Sequence, residues 1–149
     1  MSESTQYCTF LVDDLYFGIE VMKVQEVIRE QQMTRVPLAP ATVSGLINLR
    51  GQIVTAVDLR VRLGLPRRPA EKSPMNVIVR TEDGAVSLMV DEIGDVIETS
   101  AEMQERPPET LVAAARAMIT SVYKLPDRLL LALDIDAVLA TEPVGAGGR

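Results

Sequence analysis

The 149-residue sequence contains no histidine and only one cysteine. Composition alone therefore excludes a Ser–His–Asp triad, a Cys–His pair and zinc binding by the usual residue types. Cys8 has no partner for an intramolecular disulfide, and its alternation with Phe10 and Val12 predicts a small core residue. The glycines do not match the phosphate-loop patterns GxxxxGK[ST] or GxGxxG. We therefore predict no cofactor and no small-molecule substrate.

Aromatic and basic residues are also scarce. Aromatics make up 3% of the chain and tryptophan is absent, which leaves few platforms for stacking nucleic-acid bases. The net charge of −6, from 15 basic and 21 acidic residues, argues against a surface that binds phosphates. No apolar stretch approaches the roughly 20 residues of a membrane-spanning helix. We expect a cytoplasmic protein with no nucleic-acid partner and no membrane insertion.

Carboxylates are the remaining residues with catalytic or metal-binding chemistry. The acidic residues that could bind a hard cation or act as acid and base are Asp91, Glu92, Asp134 and Asp136. Each of them lies at a predicted turn or helix cap, where acidic residues are common for structural reasons. A carboxylate-dependent enzyme or a cation-binding protein is the alternative of a different functional class.

Hydrophobic residues make up 47% of the chain and fall into strand-length runs. Two such runs, Leu46–Leu49 and Ile53–Val57, flank Arg50 and Gly51, which is typical of a tight β-hairpin. Asp58 follows as a good helix N-cap, so the hairpin should lead into a helix of about two turns. The pattern thus places Arg50 at the tip of a hairpin.

Other segments alternate in the same way around turn residues. Alternation predicts hairpins over Tyr7–Glu20, Met75–Val90 and Met118–Leu133, and a short strand over Asp95–Glu98. From Val21 to Ile28 the spacing is near three and four, which predicts a short amphipathic helix or turn. About ten short strands with only short helices favour a pair of small barrels over a sandwich. Each half would have about 70 residues, so we expect the halves to share apolar surface.

A short internal similarity links two parts of the chain. Residues 56–63 resemble residues 132–139, and each segment is predicted to end a strand and begin a helix. Two related units would explain this similarity, and chance in a leucine-rich background is the alternative. The glycine-rich segment 142–149 is predicted to be a disordered tail.

The hairpin with Arg50 lies within a longer pattern of motifs. The most specific is Gly45-Leu46-Ile47-Asn48-Leu49-Arg50-Gly51, with Val54 and Val57-Asp58-Leu59-Arg60 after it. Before it stand Phe17-Gly18-Ile19-Glu20, Val24-Gln25-Glu26-Val27, Thr34-Arg35-Val36-Pro37 and Pro40. After it stand Val90-Asp91-Glu92-Ile93, Val96, Leu125, Asp127-Arg128-Leu129 and Leu133-Asp134. In these motifs, from about Tyr7 to Thr141, the sequence resembles the CheW-type coupling proteins of bacterial chemotaxis.

This resemblance implies an all-β fold of two SH3-like five-stranded antiparallel β-barrels, packed through a shared hydrophobic seam. The approximate subdomains would be residues 14–66, and residues 7–13 with 74–141. The implied function is a non-enzymatic adaptor that couples methyl-accepting chemoreceptors to the regulatory domain of the histidine kinase CheA. Such a protein would be cytoplasmic and recruited to membrane-associated receptor arrays. A CheW-like regulator in a non-flagellar chemosensory system is the alternative within the family.

The resemblance also implies roles for individual residues. Receptor binding and array assembly fall to Arg50, Met75 and Val96, and binding of the kinase falls to Val21, Val24, Glu26 and Met33. For Arg50 the alternative is a pairing within the protein that holds the hairpin, and for the apolar residues it is burial in the core. Gly45 and Gly51 are expected to be conformational, through positive φ or close backbone approach.

The chain departs from the family pattern at three positions. Proline is usual where this sequence has Thr55, and glycine is common where it has Ser87 and Ser121. Because these positions lie near strands that line the two predicted barrels, the substitutions are expected to affect partner choice.

Overall fold

The computed structural model describes residues 4–29, 32–39, 42–69, 71–82, 84–111 and 113–140. The predicted disordered tail, 142–149, and motif residue Pro40 lie outside this part of the chain. The described residues form these strands: β1 Ser4–Val12, β2 Leu15–Glu20, β3 Val24–Ile28, β4 Val43–Leu49, β5 Gln52–Asp58, β6 Met75–Thr81, β7 Gly84–Val90, β8 Glu92–Ser100, β9 Gln104–Glu105, β10 Ile119–Lys124 and β11 Leu129–Leu133. The helices are α1 Leu59–Arg62, α2 Ala113–Arg116 and α3 Ile135–Leu139.

The strands form two sheets. The six-stranded sheet has the order β8-β1-β2-β11-β10-β9, and the five-stranded sheet has the order β3-β6-β7-β5-β4. Most neighbours are antiparallel, but β11 pairs with β2, and β5 with β7, in parallel. The all-β class is confirmed, while the parallel pairs and the sixth strand were not predicted. The parallel partners are distant in sequence, so no turn signal connects them.

Both sheets close into small SH3-like barrels, as predicted. In the five-stranded sheet β3 and β4 lie at opposite ends, yet Arg50 at the β4–β5 turn forms an ion pair with Glu26 on β3. The backbone of Thr34 also forms a bridge to Leu46 on β4. In the six-stranded sheet the end strands β8 and β9 are joined by a one-turn 3-10 helix, Ala101–Met103. These connections bring the two ends of each sheet together.

The main hydrophobic core lies between the barrels and draws on both sheets. Phe10 and Phe17 come from the six-stranded sheet, while Val79 and Leu88 come from the five-stranded sheet, and all four are fully buried. The short helices add further buried residues: Leu59, Leu63, Ile135 and Val138. This shared core is the predicted hydrophobic seam. Smaller clusters, such as the one around Tyr7, Tyr123, Leu130 and Ala132, fill the remaining apolar space.

The two halves of the chain repeat one arrangement. The order β8-β1-β2-β11-β10 corresponds to β3-β6-β7-β5-β4, so the first hairpin of each half pairs with strands from the other half. The pairing registers of the two sheets correspond as well. The pair Cys8–Val96 between β1 and β8 corresponds to Val77–Val27 between β6 and β3, and Phe10–Phe17 in the β1–β2 hairpin corresponds to Val79–Val86 in the β6–β7 hairpin. The pair Ala132–Ser121 between β11 and β10 corresponds to Ala56–Gly45 between β5 and β4. The similarity between residues 56–63 and 132–139 therefore falls at equivalent strand-to-helix junctions of two related units.

This exchange of hairpins differs from the predicted division of the chain. Strand β2 lies within the predicted subdomain 14–66 but belongs to the six-stranded sheet. Strands β6 and β7 lie within the predicted 74–141 segment but belong to the five-stranded sheet. Each barrel therefore takes strands from both predicted subdomains.

The segment from Val21 to Ile28 differs from its prediction. A short amphipathic helix or turn was predicted; Val21–Lys23 does form a single 3-10 turn, but Val24–Ile28 forms strand β3. The pairing of β3 with β6 shifts register between Val24 and Glu26. Such a bulge inserts an extra residue into the strand, so apolar residues no longer occur at every second position. Their spacing then comes close to three and four, which is the spacing expected of a helix.

Three other boundaries differ from the sequence prediction. The strand predicted over Asp95–Glu98 runs over Glu92–Ser100, and the short strand β9 was missed. Helix α1 has one turn where about two were predicted. Asp58 does cap it, since its side chain accepts a hydrogen bond from the Arg60 backbone N–H.

Candidate functional site

The β4–β5 turn consists of Arg50 and Gly51, between the paired residues Leu49 and Gln52. Their φ angles are +53° and +90°, as in the type I′ turns of tight hairpins. The Gly51 N–H donates a hydrogen bond to Asn48 Oδ1 at 2.9 Å. A left-handed conformation costs a non-glycine residue about 1–2 kcal/mol. Arg50 thus occupies a position where glycine or asparagine would be less strained.

Arg50 is exposed and also paired. Its side chain is 68% exposed, and its Nη2 donates to Glu26 Oε2. The Arg50 hydrogen bond, helped by a weaker one from Gln25, lowers the pKa of Glu26. The two interpretations of Arg50, an exposed group for a partner and an internal pairing, therefore both have support in the geometry.

The other residues predicted to bind the kinase lie less openly. Val21, in the 3-10 turn, is half-buried. Val24 is half-buried against the main core, and Met33 against the cluster of Ile47, Ala56 and Met89. Of the four predicted residues, Glu26 is the one that the structure brings together with Arg50. Val24 and Met33 also have the packing role that was the alternative.

Two apolar residues near this segment are more exposed than those selected from the sequence. Met22 is 82% exposed and Ile53, beside the β4–β5 turn, is 60% exposed. Exposed apolar side chains next to charged groups are typical of protein-binding surfaces. We call Met22, Glu26, Arg50 and Ile53 the tip surface. Ile53 was treated as part of a core run, although its place next to the turn was a signal of exposure.

The residues predicted to bind the receptor lie on different sheets. Met75 begins β6 in the five-stranded sheet, where it is half-buried against the main core. Val96 lies on β8, an edge strand of the six-stranded sheet, and is 57% exposed. Ile93 on the same strand is 36% exposed. The equivalent edge strand, β3, exposes Val27 to a similar extent. We call Ile93 and Val96, both on β8, the edge valine surface.

The two conformational glycines have different requirements. A Cβ on Gly45 would lie 2.7 Å from the Thr34 carbonyl oxygen, so this position needs a close backbone approach. A Cβ on Gly51 would lie in open space, but the φ of +90° favours glycine there. Both glycines shape the β4–β5 hairpin and its approach to neighbouring backbone.

The three positions that depart from the family pattern lie on strands of the barrels, and one of them is fully buried. Ser87 on β7 is fully buried and donates to Asn76 Oδ1 at 2.8 Å, while Asn76 Nδ2 donates to the Arg29 carbonyl at 3.1 Å. Thr55 and Ser121 are half-buried, on β5 and β10. The Ser87 hydroxyl is thus satisfied by an internal hydrogen bond.

Two of the four carboxylates considered for catalysis, Asp91 and Asp134, have structural partners. Asp91 is 4% exposed, and it accepts hydrogen bonds from Arg60 Nη2 at 2.5 Å and Arg68 Nε at 2.9 Å. Burial alone would raise the pKa of Asp91, but the hydrogen bonds from Arg60, the Asp13 N–H and Arg68 outweigh it and lower the pKa. Asp134 caps α3 through the Ala137 N–H.

Among residues 4–140 that the structure describes, no group of three or more acidic or cysteine side chains is placed to hold a metal ion. In the same part of the chain, no helix combines the length and the apolar character needed to cross a bilayer.

Comparison with known proteins identifies the family. The model of the CheW-like domain matches residues 6–142. The chain is 30% identical over 137 residues to the chemotaxis protein CheW of Klebsiella aerogenes, covering 92% of this chain and 82% of the relative. It is 34% identical over 133 residues to the chemotaxis protein CheW of Bacillus subtilis, covering 89% and 85%.

A solved structure agrees with the sequence relatives. The scaffolding protein TtCheW from Thermoanaerobacter tengcongensis superimposes with a TM-score of 0.81 at 25% identity, over 94% of this chain and 95% of that protein. The family match extends over both barrels and includes the tip surface and the edge valine surface. The chain therefore belongs to the CheW-like domain family.

Proposed function

We propose that this protein is a non-enzymatic scaffold that couples methyl-accepting chemoreceptors to the regulatory domain of the histidine kinase CheA. It would act in the cytoplasm, at membrane-associated receptor arrays. Support comes from the family, whose relatives are named as chemotaxis proteins and a scaffolding protein. The observation that carries the proposal is Arg50, an exposed arginine held in a strained turn at the end of a barrel.

Binding of the kinase is proposed for the tip surface, with Val21, Val24 and Met33 as its partly buried support. Arg50 offers a planar set of donors that suits carboxylates and backbone carbonyls of a partner. Ile53 adds apolar area beside the β4–β5 turn, and Met22 adds it on the 3-10 turn that precedes β3. Such a mixture of arginine and apolar groups is typical of binding hot spots. Arg50 would also contribute to assembly of the receptor complex.

Binding of the receptor is proposed for the edge valine surface, with Met75 contributing from the neighbouring barrel. Val96 and Ile93 present apolar area on an edge strand, where a partner helix or strand can pack without displacing native contacts. Because neither residue is buried in the isolated chain, covering them would remove apolar surface from water and favour binding.

The first experiment reconstitutes kinase, receptor cytoplasmic fragment and this protein, and measures kinase phosphorylation with and without receptor. Arg50→Glu should leave the fold intact but weaken binding at the tip surface by about tenfold or more, since it reverses a charge at an interface. Lys124→Glu is the matched control, because it makes the same charge change on the exposed end of β10. Normal coupling by folded Arg50→Glu protein would remove Arg50 from the site.

A charge-swapped variant separates the two roles of Arg50. Arg50→Glu combined with Glu26→Arg keeps opposite charges at the two positions and so restores the internal pairing. If the swap restores coupling, Arg50 acts by holding the barrel closed. If coupling stays weak while the fold is unchanged, the charges of the tip surface act on the partner directly, as proposed, and not only by holding the barrel closed.

A further inference from the structure

A groove separate from the tip surface and the edge valine surface opens on the six-stranded barrel. It has a volume of about 650 Å³ and lies where the β1–β2 turn, residues 108–111 and the β10–β11 turn meet. Leucines form its apolar lining: Leu11, Leu15, Leu65, Leu111, Leu129 and Leu131. Leu111 and Leu131 are buried, whereas the other four are only partly buried. The groove thus keeps apolar surface in contact with water.

The rim of the groove is acidic. It carries the carboxylates of Asp13, Asp14 and Asp127 and the guanidinium of Arg128. Arg128 already has partners, since its Cζ lies 4.3 Å from the centre of the Tyr16 ring and its Nε lies 3.8 Å from Asp127 Oδ1. Asp13 Oδ1 lies 4.0 Å from Arg60 Nη2. Asp14 is exposed and the side chain of Asp127 is 73% exposed, so these two carboxylates dominate the rim.

The equivalent hairpin of the other barrel shows that the fold does not require this apolar lining. In the β1–β2 hairpin Leu11 pairs with Tyr16, and in the β6–β7 hairpin the corresponding pair is Arg80 and Ala85. Leu15 corresponds in the same way to Gly84. Two lining leucines therefore occupy positions that tolerate a charged residue and a glycine. Leu15 also packs in part against the main core, so the comparison bears mainly on Leu11, whose equivalent is the charged residue Arg80.

We propose that the leucine groove binds a basic amphipathic peptide segment of a partner protein. The apolar side of the segment would cover the partly buried leucines, and its lysines or arginines would lie against Asp14 and Asp127. Charge complementarity selects a basic segment, because the groove is lined by three carboxylates and one guanidinium, and Asp14 is exposed while the side chain of Asp127 is 73% exposed. The inference concerns a third binding surface and does not depend on the coupling function.

The test uses the full chain, labelled with ¹⁵N, and a synthetic helical peptide with leucines on one face and lysines on the other. We expect amide shifts confined to the four segments that line the groove: residues 11–16, the segment of Leu65, residues 108–111 and residues 127–131. The double variant Asp14→Lys/Asp127→Lys should bind the peptide about tenfold or more weakly than the native protein, since it reverses the charge of the rim. A second peptide, with glutamates in place of the lysines, should bind far more weakly than the first.

The matched control is Glu71→Lys/Glu82→Lys, which makes the same change in net charge at exposed positions outside the groove. This control should bind the leucine–lysine peptide with nearly native affinity. Equal weakening by the control, shifts spread over the whole surface, or equal binding of the glutamate peptide would each overturn the proposal. The amide shifts are measured on the native protein, so they remain informative even if a variant fails to fold.

Discussion

The β4–β5 turn and the β10–β11 turn occupy equivalent places in the two barrels but carry different chemistry. The first presents Arg50 and Gly51, and Arg50 pairs across the barrel with Glu26. The second presents Pro126 and Asp127 within a turn closed by the Leu125 N–H and the Arg128 carbonyl. Strand register is thus shared by the two barrels, while the side chains at their tips differ. A partner that recognises one tip would not find the same groups at the other.

The barrel interiors differ at two glycine positions. Gly18 and Gly45 in the first half correspond to Ser87 and Ser121 in the second. A Cβ on Gly18 would lie 3.1 Å from the Cβ of Tyr7. In the other barrel the residue that corresponds to Tyr7 is Asn76, which lies beside Ser87. Asn76 accepts the hydrogen bond of Ser87. The serine is therefore accommodated by a change in its neighbour, and this departure from the family pattern has a local explanation.

A third difference is a buried ionic cluster around Asp91, whose central carboxylate is replaced by a methionine at the equivalent position of the other half. Asp91 connects the Asp13 N–H of the β1–β2 turn, Arg60 of α1 and Arg68 of the segment that follows it. Asp91 comes two residues before Ile93, and Ile93 on β8 corresponds to Val24 on β3. The residue two positions before Val24 is Met22, which is exposed. Ionic contacts of Asp91 thus tie the two barrels together at this junction.

The largest expected effect is that of removing Asp91. Asp91→Ala would leave the buried Arg60 and Arg68 with only their more distant carboxylates, Asp13 at 4.0 Å and Asp58 at 3.5 Å. Loss of one partner of a buried pair typically costs about 3–5 kcal/mol. We expect a reduction of this size in the free energy of unfolding, measured by urea denaturation near neutral pH. Glu92→Ala, at the exposed neighbouring residue, should change it by less than about 0.5 kcal/mol.

The same cluster predicts a dependence on pH. Because the folded protein lowers the pKa of Asp91, its contribution is complete above the unfolded value of about 4 and is lost as pH falls through the folded pKa. The difference in the free energy of unfolding between the native protein and Asp91→Ala should therefore decrease only at acidic pH. A constant difference down to acidic pH would show that packing, and not charge, explains the effect.

A smaller effect is expected when the two interiors are made alike. Gly45→Ala places a Cβ 2.7 Å from the Thr34 carbonyl oxygen, and forced overpacking of this kind costs about 1–3 kcal/mol. Ser121→Ala, at the equivalent position, should change the free energy of unfolding by less than about 0.5 kcal/mol. Equal effects of the two substitutions would mean that the backbone at Gly45 moves freely away from the added methyl group.

Local features of the fold were predictable from the sequence, because turn residues and alternation act over a few neighbouring residues. The hairpin with Arg50 and the caps at Asp58 and Asp134 were found in this way. Strand β3 was missed because the bulge between Val24 and Glu26 disrupts its alternation. The exchange of hairpins between barrels leaves no local signal, since it is decided by packing between distant strands.

The candidate sites show the same limit. The exposure of Arg50 follows from its place in a turn, but its pairing with Glu26 joins residues 24 apart in sequence. Asp91 was correctly placed beside a strand end, yet its burial depends on Arg60 and Arg68, which come from a different segment. Sequence pattern identifies where a charged residue lies along the chain, whereas its partners depend on how distant segments meet.

The smallest expected effect concerns the pair that closes the five-stranded barrel. Hydrogen bonding to Arg50 lowers the pKa of Glu26, so Arg50→Gln should raise that pKa towards its ordinary value. The side-chain carboxyl resonance of Glu26, followed by NMR through an acid titration, measures this shift directly. Lys124→Gln removes the same charge from the other barrel and should leave the Glu26 titration unchanged, because Lys124 lies on β10 rather than at the β4–β5 turn. If Glu26 titrates identically with and without Arg50, the ion pair is not formed in solution, and Arg50 is then fully available to a partner.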